Sequence, residues 1–305
     1  MTSPAPRQKP PVQALQGIRV LSLALNLPGP AALMRCRQMG ATCIKLEPPS
    51  GDPMGLYNKP AYVQLHEGVK VLAADLKTEA GQKVLHRELA KTDVLLTSFR
   101  PSAIDKLGLD WRKIHALYPT LSHVAIVGAP GARAEEPGHD LTYLAENDLV
   151  PGLDLPATLY ADMAGSLMAS EAVLQAAVLR LAPYAGTGET HPSGVFLEVA
   201  LSNAAHYLGL PRSWGLTQPG AAVGGGHAGY RLYPCQDGRV AVAALEPHFA
   251  AALCAAAGVQ ITGMKDMFAP ATHQAIAAFF LMQTRQQLDT LGAQQDIPLQ
   301  TLSNS

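Results

Sequence analysis

A Gly-His-Asp run and a lone downstream acid are the residues of this chain whose types and spacing could do chemistry. Gly138-His139-Asp140-Leu141-Thr142-Tyr143 places an imidazole and a carboxylate directly after a glycine, and Leu141, Leu144, Ala145 and Leu149 follow at roughly helical spacing. The pattern reads as a tight turn presenting polar side chains at a helix start. In Tyr160-Ala161-Asp162-Met163-Ala164-Gly165 a second acid stands at the mouth of an apolar, small-residue helix. A titratable imidazole and a carboxylate at two such junctions suit a two-base proton transfer, in which one group takes a proton and the other returns one. The same residues also fit ordinary roles, His139 as a helix cap and Asp162 as an N-cap, where Asp is favoured.

The elements that must position these groups alternate. Ile18–Leu23, Ala41–Leu46, Val69–Lys77, Asp93–Ser98 and Leu121–Val127 read as buried strands, rich in Val, Ile and Leu. Pro28-Gly29-Pro30 breaks the first strand, and Ala31–Met39 reads as a helix closed by Gly40. Glu47–Pro53 reads as a loop. Helices are expected over Thr78–Ala90, around Ile104–Leu107 and over Trp111–Leu117. This alternation predicts an α/β fold with an open, parallel, Rossmann-like sheet, whose ligands bind beyond the carboxyl ends of the strands. No G-x-G-x-x-G follows the first strand, so no NAD site is expected.

Further on, Gly165–Leu181 reads as a long helix, Pro183–Ser193 as a Gly/Pro/Thr-rich loop, Val195–Val199 as a strand and Ala200–Gly209 as a helix. Cys235-Gln236-Asp237-Gly238 reads as a hairpin turn before the strand Arg239–Ala244. Helices over Pro247–Ala257, Ala271–Gln283 and Arg285–Leu291 complete a smaller α+β unit. The expected organisation is a disordered arm (1–14), a large α/β domain (15–190), a linker or crossover (191–220) and a small domain (221–305).

Lys77, Arg100 and Lys106 fall at or just after strand ends, where a phosphate-bearing ligand would meet cations. Each taken singly also fits a solvated surface charge. Gly224-Gly225-Gly226 gives backbone freedom, either for close ligand approach or as a plain flexible loop.

Pro137–Tyr143, Asp162 in its small-residue setting and Val242-Ala243-Ala244-Leu245-Glu246-Pro247 together resemble the catalytic segments of the CaiB/BaiF family, the class III CoA-transferases, and within it the α-methylacyl-CoA racemase branch. The resemblance runs from about Leu15 to about Leu299. Ala74-Asp75-Leu76-Lys77 is similar to the family's "DLK" segment, and Phe99-Arg100-Pro101 through Lys106-Leu107-Gly108 to its "FRPG…RLG" segment. The resemblance implies His139 and Asp162 as the two bases, with Glu246 orienting the imidazole. It implies Ala74, Lys77, Arg100, Lys106, Tyr143, Gly225 and Gly226 as the coenzyme A and substrate contacts, with a backbone contact to the adenine near Ala74. Lys106 stands where the racemases often carry Arg, which keeps the charge and loses the bidentate fork.

The implied activity is an acyl-CoA racemase or epimerase working on 2-methylacyl-CoA thioesters through an enolate. A CoA-transferase with Asp162 as nucleophile is the alternative, and an inactive CoA-binding paralogue the second alternative. Coenzyme A enters as part of the substrate, and no permanently bound cofactor or metal is expected. The implied partner is a second copy of the chain in an interlocked homodimer. Family members usually continue beyond the segment resembling Asp296-Ile297-Pro298-Leu299 and return to the large domain; a chain stopping at Ser305 implies that this return is absent or that function is altered. Two local departures stand out: Val127-Gly128-Ala129-Pro130-Gly131 lacks the family's aromatic between glycines, and Ala161 and Met163 flank Asp162 where racemases often have Gly and Phe.

The resemblance implies a role in lipid metabolism, and composition excludes several other classes. The net charge of −1 gives no reason to expect nucleic-acid or polybasic membrane binding. At 48% hydrophobic the chain can build a substantial core, and 15% charged is low, which suits wide buried interfaces. Cys36, Cys43, Cys235 and Cys254 form no paired C-x-x-C set and read as reduced thiols, so a cytoplasmic setting is expected. Met1–Val12 lacks the apolar stretch of a signal peptide, and Ser303-Asn304-Ser305 is not a peroxisomal address.

Overall fold

The structure, a computed structural model, describes residues 12–181 and 193–304. Most of the expected arm and of the loop at Pro183–Ser193 lies outside the described residues. The chain divides into two compact units, residues 1–209 and 210–305. The first runs β1 (Arg19–Ser22), α1 (Pro28–Gln38), β2 (Thr42–Glu47), α2 (Met54–Tyr57), α3 (Lys59–Leu65), β3 (Lys70–Ala73), α4 (Glu79–Leu89), β4 (Val94–Thr97), α5 (Pro101–Lys106), α6 (Trp111–Leu117), β5 (Ser122–Val127), α7 (Asp140–Glu146), α8 (Tyr160–Leu181), β6 (Phe196–Ala200) and α9 (Leu201–Ser213), the last crossing the boundary.

All six strands pair in parallel in the order β3-β2-β1-β4-β5-β6. This is the doubly wound order, with its switch point between β1 and β4. The strands' continuous apolar runs split by alternation between two cores. Val20, Cys43, Val94, Leu96, Val124 and Ile126 face α1 and α8. Leu21, Ile44, Leu46 and Leu95 pack with Leu85 and Leu89 of α4, Ile104 and Ile114. Ala169, Ala172 and Ala176 of α8 are buried with Ala32, Leu33 and Cys36 of α1, small residues that let two helices approach closely.

Several boundaries differ from expectation. Pro28-Gly29-Pro30 does not delay α1 but opens it, because a first helical turn needs no N–H from proline. β3 stops at Ala73, and Ala74–Lys77 turn towards α4, whose cap is the Thr78 hydroxyl accepting from the Gly81 N–H. The Pro-rich loop after β2 leads into α2 and α3, two short helices without a clear apolar period. α8 begins at Tyr160 and not Gly165, so Asp162 lies in its first turn.

The second unit is a three-stranded antiparallel sheet in the order β7-β8-β9, from β7 (Tyr230–Cys235), β8 (Gly238–Ala243) and β9 (Leu299–Leu302). α10 (Pro247–Ala256), α11 (Pro270–Leu281) and α12 (Arg285–Gln295) cover it around Leu253, Ile276, Phe280 and Leu288. β9 was not expected: four residues carry too little pattern, and pairing with β8 makes them a strand. Among the described residues no helix is long and apolar enough to cross a membrane.

His123 lies buried inside β5, 1% exposed, with its Nε2 2.9 Å from the Thr97 hydroxyl and its Nδ1 without a hydrogen bond. Burial lowers its pKa to about 4. In the unfolded chain the imidazole protonates near its ordinary 6.5, so the stability it contributes is present above that value and is lost as pH falls towards 4. His123→Leu should flatten the acid limb of a Tm-against-pH curve between those values. An unchanged slope would assign acid sensitivity elsewhere.

Candidate active site

A cleft of about 730 Å³ opens at the carboxyl ends of the strands. Leu25, Asn26 and Leu27 line it from the β1–α1 loop, Ser98, Phe99 and Arg100 from beyond β4, and Ile126, Val127 and Gly128 from the end of β5. The chain leaves β1 and β4 towards opposite faces of the sheet, so these loops part and leave a crevice. The Leu25 N–H donates to the Ser98 hydroxyl at 3.1 Å and ties the two loops together at its base.

His139, Asp140, Tyr143 and Asp162 all line this cleft. His139 is the residue before α7, in extended geometry, and its imidazole is exposed. It does sit at a capping position, but only through its backbone: the Thr142 hydroxyl donates to the His139 carbonyl at 2.8 Å and accepts from its N–H at 3.0 Å. Among the described residues, the hydrogen bonds of His139 run through its backbone and leave the imidazole available to a ligand. Asp140 is buried, and its Oδ1 accepts the Asp162 N–H at 2.9 Å, so one carboxylate fastens the start of α8 to the start of α7. Tyr143 is buried with its hydroxyl wedged between two glycines. A Cβ on Gly138 would lie 2.6 Å from that oxygen and one on Gly128 2.3 Å from it. Both glycines therefore make room for the ring that closes the floor of the cleft.

The Asp162 carboxyl is pushed up to about 6, chiefly by burial and then by the negative charge of Asp140, with His139 pulling the other way. A carboxyl that gains and loses its proton near neutrality, in the same cleft as an imidazole, can act as either acid or base.

The other expected residues are distributed. Arg100 lines the cleft at the residue before α5. Lys106 closes α5, and both cations act on Glu135, whose carboxylate accepts from the Ser102 N–H at 2.6 Å and is held below the usual carboxylate range mainly by that bond. Lys77 is exposed in the turn after β3, and the Ala74 N–H is already given to the Glu47 carbonyl at 2.9 Å. Ala74, Lys77 and Lys106 are not part of the cleft lining. Glu246, Gly225 and Gly226 belong to the second unit. Glu246 is exposed immediately before α10. The glycines have an internal reason: Gly225 has φ +91°, and a Cβ on Gly226 would lie 2.1 Å from the Gly220 carbonyl oxygen.

One cluster beside the cleft escaped the sequence reading. Lys45, fully buried on β2, is ion-paired to Asp52 and to Glu47 (3.2 Å) and lies 2.8 Å from His66 Nε2. His66 Nδ1 is 2.6 Å from the Tyr62 carbonyl, an acceptor only, so Nδ1 carries the ring proton and Nε2 accepts from Lys45. Glu47, Asp52 and His66 have the donors and spacing of a metal site, but the Lys45 ammonium stands among them as the cation. The signal was present: a lysine inside a strand buried on both faces must be paired.

The family model for CoA-transferase family III matches residues 15–305. A cinnamoyl-CoA:phenyllactate CoA-transferase of Clostridium sporogenes is 35% identical over 140 residues, 41% of this chain and 34% of that protein. An α-methylacyl-CoA racemase of Mus musculus is 29% identical over 258 residues, 81% of this chain and 65% of that protein. The match thus spans less than two thirds of either relative. The crystal structure of a hypothetical protein from Mycobacterium tuberculosis superposes with a TM-score of 0.80 at 21% identity, covering 96% of this chain and 86% of that one, which shows the shared fold.

Because Asp162 titrates higher when folded than its ordinary 3.8, the folded state holds its proton more tightly than the unfolded chain. Stability from this group is therefore greatest in acid and falls as pH rises through about 6. Asp162→Asn should raise Tm at pH 7–8 and lose that advantage towards pH 4. A variant no more stable than wild type at neutral pH would contradict the half-buried, destabilised carboxylate.

Proposed function

The chain belongs to CoA-transferase family III, and on that premise we propose that it racemises or epimerises a 2-methylacyl-CoA thioester by two-base exchange of the α-proton. The observation that carries this reading is an imidazole and a carboxyl titrating near neutrality in one cleft, His139 and Asp162. One base removes the proton from Cα, leaving an enolate, and the other delivers a proton to the opposite face. Near pH 7 the Asp162 carboxylate is mostly ionised and so able to accept, yet close enough to its midpoint to return a proton. The amino ends of α1 and α8, at Pro28 and Tyr160, lie by the cleft, and their partial positive charge favours an enolate over the neutral thioester. Leu25, Leu27, Met54, Leu159 and Leu201 supply apolar wall, which suits a hydrocarbon acyl chain. Arg100, with Lys106 and Lys77, would meet the coenzyme A phosphates, and Gly225 and Gly226 would approach the substrate. A cytoplasmic setting fits the four unpaired, buried cysteines.

A second reading has its own support: one relative that is 35% identical is named a CoA-transferase. There the Asp162 carboxylate would attack the thioester carbonyl carbon, expel the CoA thiolate and form a mixed anhydride; the thiolate then attacks the aspartyl carbonyl, forming an aspartyl thioester and releasing the donor acid as its carboxylate.

The two readings part in deuterated buffer. A 2-methylacyl-CoA should take up one deuterium at Cα, and no uptake by folded protein with any such substrate rejects the racemase. Hydroxylamine capture of an acylated Asp162 would instead establish transfer. Stabilisation by acyl-CoA with neither reaction would identify an inactive CoA-binding paralogue. In the racemase, His139→Ala and Asp162→Ala should each cost about 10²–10⁴-fold in rate. Lys106→Ala should raise KM with kcat little changed.

Glu246 is proposed to orient the imidazole of His139 from the small unit of a partner chain in a homodimer. Mixing His139→Ala subunits with Glu246→Ala subunits should then restore activity, one intact pair per heterodimer. An active wild-type monomer would remove the composite site.

A further inference from the structure

The buried cluster around Lys45 touches the cleft through backbone amides. Asp52 Oδ1 accepts the Asn26 N–H at 3.1 Å and the Met54 N–H at 2.9 Å, while Oδ2 shares the Asn26 N–H at 3.2 Å and faces the Lys45 ammonium. Asn26 and Met54 both line the cleft, from the β1–α1 loop and from α2. Asn26 holds φ +66°, a left-handed conformation that costs a non-glycine residue and persists only where its surroundings enforce it. Glu47 completes the frame: its Oε2 accepts the Asp52 N–H at 3.2 Å and its Oε1 the Tyr62 hydroxyl at 2.9 Å, which ties α3 to β2.

We propose that Lys45 serves as a built-in cation in a Glu47–Asp52–His66 cage, and that Asp52 is a positioning residue whose Oδ1 fixes the Asn26 and Met54 edge of the acyl-CoA cleft. The proposal rests on reading that cleft as the acyl-CoA site. A mobile ion could leave or be exchanged, whereas a covalently tethered ammonium of zero exposure cannot. The cage holds two carboxylates against one ammonium. His66 gives its Nδ1 proton to the Tyr62 carbonyl and turns the Nε2 lone pair to Lys45, and burial lowers its pKa. Lys45 balances Glu47 as well as Asp52, so removing the ammonium with only one carboxylate would leave the other buried and uncompensated, a strongly destabilising change. The informative variants neutralise all three.

Lys45→Gln/Glu47→Gln/Asp52→Asn and Lys45→Gln/Glu47→Gln/Asp52→Ala carry the same charge, and only the first keeps an acceptor at position 52 for the two amides. Amide exchange should show the Asn26 and Met54 N–H protected in wild type and in the Asn variant, and released in the Ala variant. Acyl-CoA affinity by calorimetry, measured below the melting point of each protein, should stay within about threefold in the Asn variant. In the Ala variant it should fall on the order of ten- to a hundredfold. Equal affinity in the two folded variants overturns the positioning role. Free exchange of the wild-type Asn26 amide overturns it without any variant, so the test stands even if the Ala variant does not fold. Wild type that shows these protections yet binds no acyl-CoA would reject the functional reading of the cleft and leave the clamp intact.

Discussion

Everything at the candidate site depends on the pairing of β1 with β4 at the centre of a parallel sheet. Parallel strands need crossovers, and right-handed crossovers send the chain to opposite faces on either side of one point in the sheet. At that point two neighbouring strands release their loops in opposite directions, and the gap between them cannot be filled by either. The cleft is that gap. The residues around it are polar where the loops need hydrogen bonds, as at Ser98 and Asp52, and apolar where the loops cover the sheet, as at Leu25 and Ile126.

The second constraint is electrostatic. Asp162 and Asp140 bring two acids to neighbouring helix starts, one half-buried and one buried. Asp140 is committed, since its Oδ1 is spent on the Asp162 backbone. Asp162 is left with a charge that neither burial nor its neighbour favours, and its proton comes off near neutrality. A fold selected only for stability would replace it by an amide. Keeping a group that destabilises the folded state at working pH is the usual sign of chemistry in place of architecture. Lys45 is the opposite case. Its charge is favoured by two buried carboxylates, Asp52 and Glu47, and it sits beside the cleft without lining it.

The sequence determined the strand-and-helix alternation of the first unit, because strands buried on both faces must be continuous apolar runs, as in Val94-Leu95-Leu96 and Val124-Ala125-Ile126-Val127. It also determined the two chemical junctions, since His139 and Asp162 stand next to signals readable over a few residues: a glycine before one helix and small residues along another. Tertiary structure alone decided what those residues face. Asp140 is 22 residues from Asp162 in the chain, and the bond between them exists only because α7 and α8 start on the same side of the sheet. The same holds for Asn26 and Asp52, 26 residues apart. β9, α2 and α3 were not legible either, for they have too few residues to show a period and exist because a neighbouring strand or a buried ion cluster holds them. Local pattern fixes elements because backbone geometry and burial act over a few residues. A site is assembled from charges and amides far apart in sequence, and only the packed chain brings them within hydrogen-bond reach.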